Sequence, residues 1–168
     1  ITSKDCPSFG GVYKLAAIKD NATGKFIPKI KLSENAEKIT NPGNKTIQRI
    51  YNKETGKIIA DLICLVEETY DSRDSLLLFD PVETWKKTHL APDSYTIREL
   101  MVPIFLNGAC VYQSPKVMDI RDYCKQELNT LWVESLRLEY PHRTHVDLSL
   151  PLWNMKNELL SQYHFEGQ

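Results

Sequence analysis

Between Lys29 and Lys45 the chain sets cations and hydroxyls around one tight turn: Lys29, Lys31, Ser33, Lys38, Thr40 and Lys45 surround or adjoin Pro42-Gly43. That is the chemistry a phosphate or pyrophosphate requires. One ammonium about 4 Å from an anion contributes roughly 4 kcal/mol at an effective dielectric near 20, and desolvation offsets most of it, so several cations must act together. Lys31, Lys38 and Lys45 supply three ammonium groups, Ser33 and Thr40 two hydroxyls, and the bend at Pro42-Gly43 lets nearby amides face an anion as a backbone nest does. Lys14 is a further candidate. It is the only charge between Phe9 and Ile18, and a lysine on a stretch otherwise apolar on both faces calls for a carboxylate or an anionic ligand.

Other polar groupings are weaker. His142-Arg143-Thr144-His145-Val146-Asp147 places two imidazoles and a carboxylate within six positions, but neither histidine has the i, i+4 helical spacing of a metal-binding pair, so hydrogen bonding at a helix entry is expected instead. Asp80, Glu83 and Trp85 around Pro81 resemble a carboxylate pair, yet no histidine, serine elbow or glycine-rich loop lies near them in sequence, so they read as a solvated loop. No G-x-x-x-x-G-K-[ST] or G-x-G-x-x-G motif occurs. No catalytic residue and no metal site is expected within this chain.

The elements that would hold the turn follow from periodicity. Residues 26–33 alternate as a strand does, with Phe26, Ile30 and Leu32 on one face and Lys29, Lys31 and Ser33 on the other. A strand over 11–19 turns through Asp20-Asn21-Ala22-Thr23-Gly24 into it, and 48–52 turns through Lys53-Glu54-Thr55-Gly56 into 57–66, giving two β-hairpins joined by the lysine turn. Glu67 to Asp74 reads as a loop, Leu76 to Phe79 as a short strand, and the next stretch as a connection. Asn107-Gly108 between Leu100–Leu106 and Ala109–Tyr112 is a strong hairpin signal. Beyond it the period becomes helical: Ser114-Pro115 offers a cap and a first-turn proline before Val117, Ile120, Cys124, Leu128 and Leu131, and a second helix follows Ser149 with Leu152, Met155, Leu159 and Tyr163 on one stripe. The expected class is α+β: antiparallel β-hairpins over 1–62, belonging to a β-rich domain, then a small sheet with two amphipathic helices over 63–168.

Composition agrees with a folded chain. Of 168 residues 42% are hydrophobic and 26% charged, which excludes a disordered tail. No apolar run reaches the roughly 20 residues of a bilayer span, and the N-terminus lacks the charged-then-apolar pattern of a signal peptide, so a cytoplasmic protein without a membrane partner is expected. The four cysteines are scattered and read as reduced core thiols. Net charge is only −1, but residues 1–60 carry eleven basic against five acidic side chains, and the acidic excess lies beyond them. The first third is thus set up to meet an anion. Nucleic acid is a poor fit for that anion, because no aromatic side chain interleaves the lysines between Lys29 and Lys45. A non-catalytic structural or interaction domain with solvated lysines stays open as the alternative. Ile1 follows no methionine and the opening segment has little to build a core with, so the chain reads as a piece of a longer protein.

Three blocks then carry a resemblance: Pro7-Ser8-Phe9-Gly10-Gly11-Val12-Tyr13-Lys14-Leu15, Lys31-Leu32-Ser33-Glu34, and Glu37-Lys38-Ile39-Thr40-Asn41-Pro42-Gly43-Asn44-Lys45. In order and spacing they resemble the C-terminal part of the nicotinate phosphoribosyltransferases, and the likeness continues through Leu100–Phe105, Asn107-Gly108 and Pro141–Ser149. It implies a parent enzyme that joins nicotinate to phosphoribosyl pyrophosphate, giving nicotinate mononucleotide and pyrophosphate for NAD synthesis. ATP hydrolysis through a phosphorylated histidine upstream of this chain would drive the reaction, magnesium would assist, and the enzyme would be a homodimer. The fragment alone would be inactive and would bind neither ATP nor Mg2+. Among possible phosphate contacts, the resemblance favours Ser8 and Lys31, with Lys38 matched less closely because the intervening loop differs in length. Gly10 stands where the nicotinamide-using relatives carry a lysine, as suits the nicotinate branch.

Overall fold

A computed structural model describes residues 11–35, 38–83 and 85–165. The described residues divide into two compact units, one ending at Asn44 and the other beginning at Lys45. The boundary expected at 62/63 falls inside a strand.

The first unit is built on one short hairpin. Strand β1 (Ala17–Lys19) pairs antiparallel with β2 (Phe26–Pro28), Ile18 opposite Ile27. Asp20 organises the turn: its carboxylate accepts from the Ala22 N–H at 3.0 Å and the Thr23 hydroxyl at 2.6 Å, and Gly24 adopts φ +70°, a conformation that suits glycine. Both strands are shorter than the alternation predicts. Residues 11–16 and 29–33 have no strand pairing, and Val12, Tyr13 and Leu15 stand exposed. A strand apolar on both faces forms only where both faces are covered, and no described neighbour covers them.

The second unit has a core of its own. Strands β3 (Lys45–Asn52), β4 (Ile58–Leu65), β5 (Leu76–Phe79), β6 (Lys87–Leu90), β7 (Tyr95–Glu99) and β10 (His145–Leu148) form one sheet in the order β6-β5-β10-β4-β3-β7. All pairings are antiparallel except β10 with β4, which runs parallel and sets Asp147 opposite Leu62. The β3–β4 turn is the expected one: the Asn52 side chain accepts from the Glu54 and Thr55 N–H groups, and Gly56 takes φ +67°. A separate hairpin, β8 (Phe105–Leu106) and β9 (Ala109–Cys110), turns through Asn107 at φ 51° and Gly108 at φ 81°, the two left-handed residues of a type I′ turn.

Each face of the sheet buries alternate residues. Ile50, Ala60, Leu62, Cys64, Leu76, Leu78 and Tyr95 form one cluster. Leu148 and Phe79 on the other side meet Leu152 of α2 (Leu150–Phe165), with the Phe79 and Trp153 rings 5.1 Å apart. Ser149 caps that helix as expected, its hydroxyl accepting from the Leu152 N–H at 3.3 Å. The buried stripe of α2 includes Lys156 in addition to Leu152, whereas Tyr163 is exposed.

Helix α1 (Val117–Thr130) departs from expectation. Its cap residue is Lys116, not Ser114, and it buries no residue. Polar contacts hold it instead. Glu127 accepts from Arg98 at 2.7 and 2.6 Å and from Arg49 at 3.3 Å, while Arg49 also grips Asp61 at 2.7 and 2.8 Å. At the same C-terminal end of the helix, Lys57 donates to the carbonyls of Asn129 and Leu131 at 2.8 and 2.9 Å, where the helix dipole favours a cation. Val117, Ile120 and Leu128 of the predicted apolar stripe face solvent. Cys110 and Cys124 are exposed free thiols, not core ones; Cys64 alone of the described cysteines is buried, and burial pushes its thiol up to about 12. Among the described residues no helix is long and apolar enough to cross a membrane.

Candidate functional site

The lysine turn closes on its own backbone. The Lys31 N–H donates to the Thr40 hydroxyl oxygen at 2.8 Å, and the Thr40 N–H points back to the Lys31 carbonyl at 3.4 Å. This crosslink replaces the strand predicted through Ser33. Within the loop, Ser33 Oγ accepts from the Asn35 N–H at 3.3 Å, and the Lys38 N–H donates to the Asn35 carbonyl at 2.9 Å. The Ala16 carbonyl ties the loop to the hairpin by accepting from both Lys29 and Gly43 N–H groups at 2.8 Å. Gly43 is buried at φ +91°, a left-handed conformation in which a side chain would be strained.

Lys14 answers its own puzzle. Its ammonium donates to the Lys38 carbonyl at 3.1 Å, so its recorded partner is a backbone oxygen, not a carboxylate. An ammonium has three hydrogens, and two remain for other acceptors. Lys14, Lys31, Lys38 and Thr40 are therefore linked through one small hydrogen-bonded loop, with Lys29 attached through Ala16. The Lys14, Lys29, Lys31 and Lys38 side chains are exposed. The Thr40 hydroxyl accepts from Lys31 and keeps its own hydrogen to give. Lys45 is the first residue of β3, in the second unit, and is half-buried; burial lowers its pKa. Ser8 lies outside the described residues.

The second unit has a polar concavity of its own, of about 350 Å3, lined by Asp80, Trp85, Lys86, Lys87, His145 and Asp147 among others. Two stretches set aside separately in the sequence meet there. Read one at a time, each lacked partners; the signal that joins them is the β10–β5 pairing, a long-range contact with no local signature. The 142–147 stretch is not a helix entry but leads into β10. Among the described residues no three His, Cys, Asp or Glu side chains are arranged to hold a metal ion.

The model of the nicotinate phosphoribosyltransferase C-terminal domain family matches residues 44–156. The chain belongs to that family. The match begins where the second unit begins, so the family's sheet and helices correspond to the self-contained part of the fold. Relatives extend the likeness over the lysine turn as well. A nicotinate phosphoribosyltransferase of Bacillus subtilis is 35% identical over 162 residues, covering 96% of this chain and 32% of its own length. That of Dictyostelium discoideum is 30% identical over 95% of this chain and 27% of its own. The crystal structure of human nicotinic acid phosphoribosyltransferase superposes with a TM-score of 0.61 at 24% identity, over 72% of this chain and 24% of that one, a likeness of fold. The chain thus spans about a third or less of the length of the family members it matches.

Proposed function

We propose that this chain is the C-terminal part of an enzyme that joins nicotinate to phosphoribosyl pyrophosphate, releasing nicotinate mononucleotide and pyrophosphate on the route to NAD, with ATP hydrolysis driving the reaction. The observation that carries the reading is the 35% identity across nearly the whole chain to a relative of that name. The enzyme acts as a cytoplasmic homodimer, and the chain alone is inactive.

Within that enzyme the first unit meets the phosphates. Breaking the bond from ribose C1 to pyrophosphate puts negative charge on the leaving group and positive charge on the sugar, and cations held in place beforehand stabilise the former without reorganising. Lys31 and Lys38 flank a loop already closed by the Lys31–Thr40 and Lys38–Asn35 hydrogen bonds, which supports this role. Ser8, Thr40, Lys14, Lys29 and Ser33 complete or support the set. Magnesium and ATP would serve the parent enzyme.

The test is Lys31→Ala in the full-length enzyme. It should lower kcat/KM for phosphoribosyl pyrophosphate about tenfold or more, near 1.4 kcal/mol of transition-state stabilisation. Unchanged kinetics at limiting substrate would remove Lys31 from the site. The rival reading, an assembly domain with solvated lysines, draws on the exposure of the four loop lysines; it predicts altered oligomerisation with substrate affinity intact.

A further inference from the structure

Lys31 is exposed, and its backbone is tied at one point. Its N–H donates to the Thr40 hydroxyl oxygen at 2.8 Å, and its carbonyl accepts from the Thr40 N–H at 3.4 Å. Among the described residues, no backbone hydrogen bond is recorded at Ile30 or Leu32 on either side of it, and the strand pairing of β2 ends at Pro28. A lysine presented from so loosely tied a segment has to be ordered when it meets a ligand, and that entropic cost is set against the interaction it makes. The two bonds to Thr40 supply the order in advance.

Thr40 can hold Lys31 because it is itself held from both sides. Two residues before it, the Lys38 carbonyl accepts from the Lys14 ammonium at 3.1 Å, and the Lys38 N–H donates to the Asn35 carbonyl at 2.9 Å. Three residues after it, the Gly43 N–H donates to the Ala16 carbonyl at 2.8 Å, the same oxygen that takes the Lys29 N–H. Thr40 is half-buried, whereas Lys31 and Lys38 are exposed. Its hydroxyl oxygen competes for a backbone donor as threonine side chains do at strand ends, and here the donor belongs to the lysine that the proposed reaction needs.

We propose that Thr40 is a positioning residue for Lys31, its hydroxyl oxygen fixing the backbone from which the Lys31 ammonium reaches the leaving pyrophosphate. The inference rests on the function proposed above and gives Thr40 a part in it other than direct contact with phosphate. Valine has nearly the shape of threonine but no acceptor, so Thr40→Val leaves the Lys31 N–H without its partner, while Thr40→Ser keeps the oxygen. The hydroxyl still has its own hydrogen to give, so direct contact is the alternative to be separated. A residue that acts through Lys31 loses its effect once the Lys31 side chain is gone, and a residue that touches phosphate itself does not.

The experiment is kcat/KM for phosphoribosyl pyrophosphate in the full-length enzyme, for wild type, Thr40→Val, Thr40→Ser, Lys31→Ala and the double variant Lys31→Ala with Thr40→Val. Thr40→Val should lower it about fivefold, Thr40→Ser should stay within about twofold of wild type, and the double variant should lie within about twofold of Lys31→Ala. Thr40→Ala takes the place of Thr40→Val should the valine variant fail to fold. A loss that serine does not restore assigns the effect to packing and overturns the proposal. An equal loss on removing the hydroxyl in both backgrounds makes Thr40 a phosphate contact and overturns it too. Unchanged kinetics in Thr40→Val beside a loss of about tenfold in Lys31→Ala overturns this inference and leaves the proposed role of Lys31 standing. Unchanged kinetics in Lys31→Ala overturns both.

Discussion

The two units of this chain differ in how much apolar surface they bury. The second buries Ile50, Leu62, Cys64, Leu78, Leu148 and Leu152 completely, on both faces of a six-stranded sheet. The first closes a lysine-lined loop by backbone hydrogen bonds but leaves Val12, Tyr13, Leu15, Ile18, Phe26, Ile27 and Leu32 exposed. Hydrophobic burial is what offsets the entropy of ordering a chain. The second unit can therefore stand on its own packing, while the first, where the proposed phosphate contacts lie, has little packing of its own.

That contrast can be broken most directly by truncating one apolar side chain in each unit. Leu62→Ala should cost about 2–5 kcal/mol in denaturant unfolding of this chain, because the lost methyl groups leave a cavity in a packed sheet. Leu15→Ala should change stability by less than about 0.5 kcal/mol, as exposed substitutions do. Similar losses at the two sites would mean that the units share one core. The kinetic loss expected for Lys31→Ala has its counterpart in Lys53→Ala, which should leave kcat/KM unchanged, since Lys53 pairs with Asp93 on the second unit's surface.

Within the second unit the same comparison runs between its helices, α2 anchored by apolar packing and α1 by charge. Arg98 and Arg49 hold the Glu127 carboxyl below its ordinary value near 4.5, against the opposing effect of burial. A lowered folded value means that Glu127 contributes its stability fully above about pH 4.5 and loses it as pH falls through the folded value. Glu127→Gln should cost about 1 kcal/mol at pH 7, the exposure of Arg98 reducing the effect, and should flatten the acid limb of the stability curve. An unchanged acid limb would detach α1 from this network. Lys156→Met should stay within about 1 kcal/mol of wild type, because a hydrophobic replacement spares the desolvation of a buried ammonium. Burial lowers the Lys156 pKa from 10.5, so wild-type stability should rise as pH climbs through the folded value toward 10.5. The methionine variant should lack that rise.

Local chemistry made much of this fold legible. Asn107-Gly108 needs two left-handed residues, Lys53-Glu54-Thr55-Gly56 supplies an Asn-capped turn with its glycine, and Ser149 with Pro151 opens α2; each signal sits within a few residues. What escaped was long-range. Strand β6 is Lys-Thr-His-Leu and β7 mixes Tyr and Ile with Thr and Arg, edge compositions that resemble a connection until their partners β5 and β3 are known. Strand β10 is four residues slotted between β4 and β5, parallel to β4, and a parallel neighbour leaves no hairpin turn in the sequence. The same insertion hid the meeting of Asp80 with Asp147. At the lysine turn, the residue types pointed to the loop, but alternation suggested a strand through Ser33 where the Thr40 hydroxyl instead takes the Lys31 N–H. A side chain competing for a backbone donor ends the strand there.

Lysine acetylation footprinting of the full-length enzyme, with and without phosphoribosyl pyrophosphate and magnesium, tests the division of labour most directly. The account predicts that substrate protects Lys31 and Lys38 while Lys53 and Lys125 in the second unit keep their reactivity. Protection confined to the second unit, or none at Lys31 and Lys38 at saturating substrate, would contradict it.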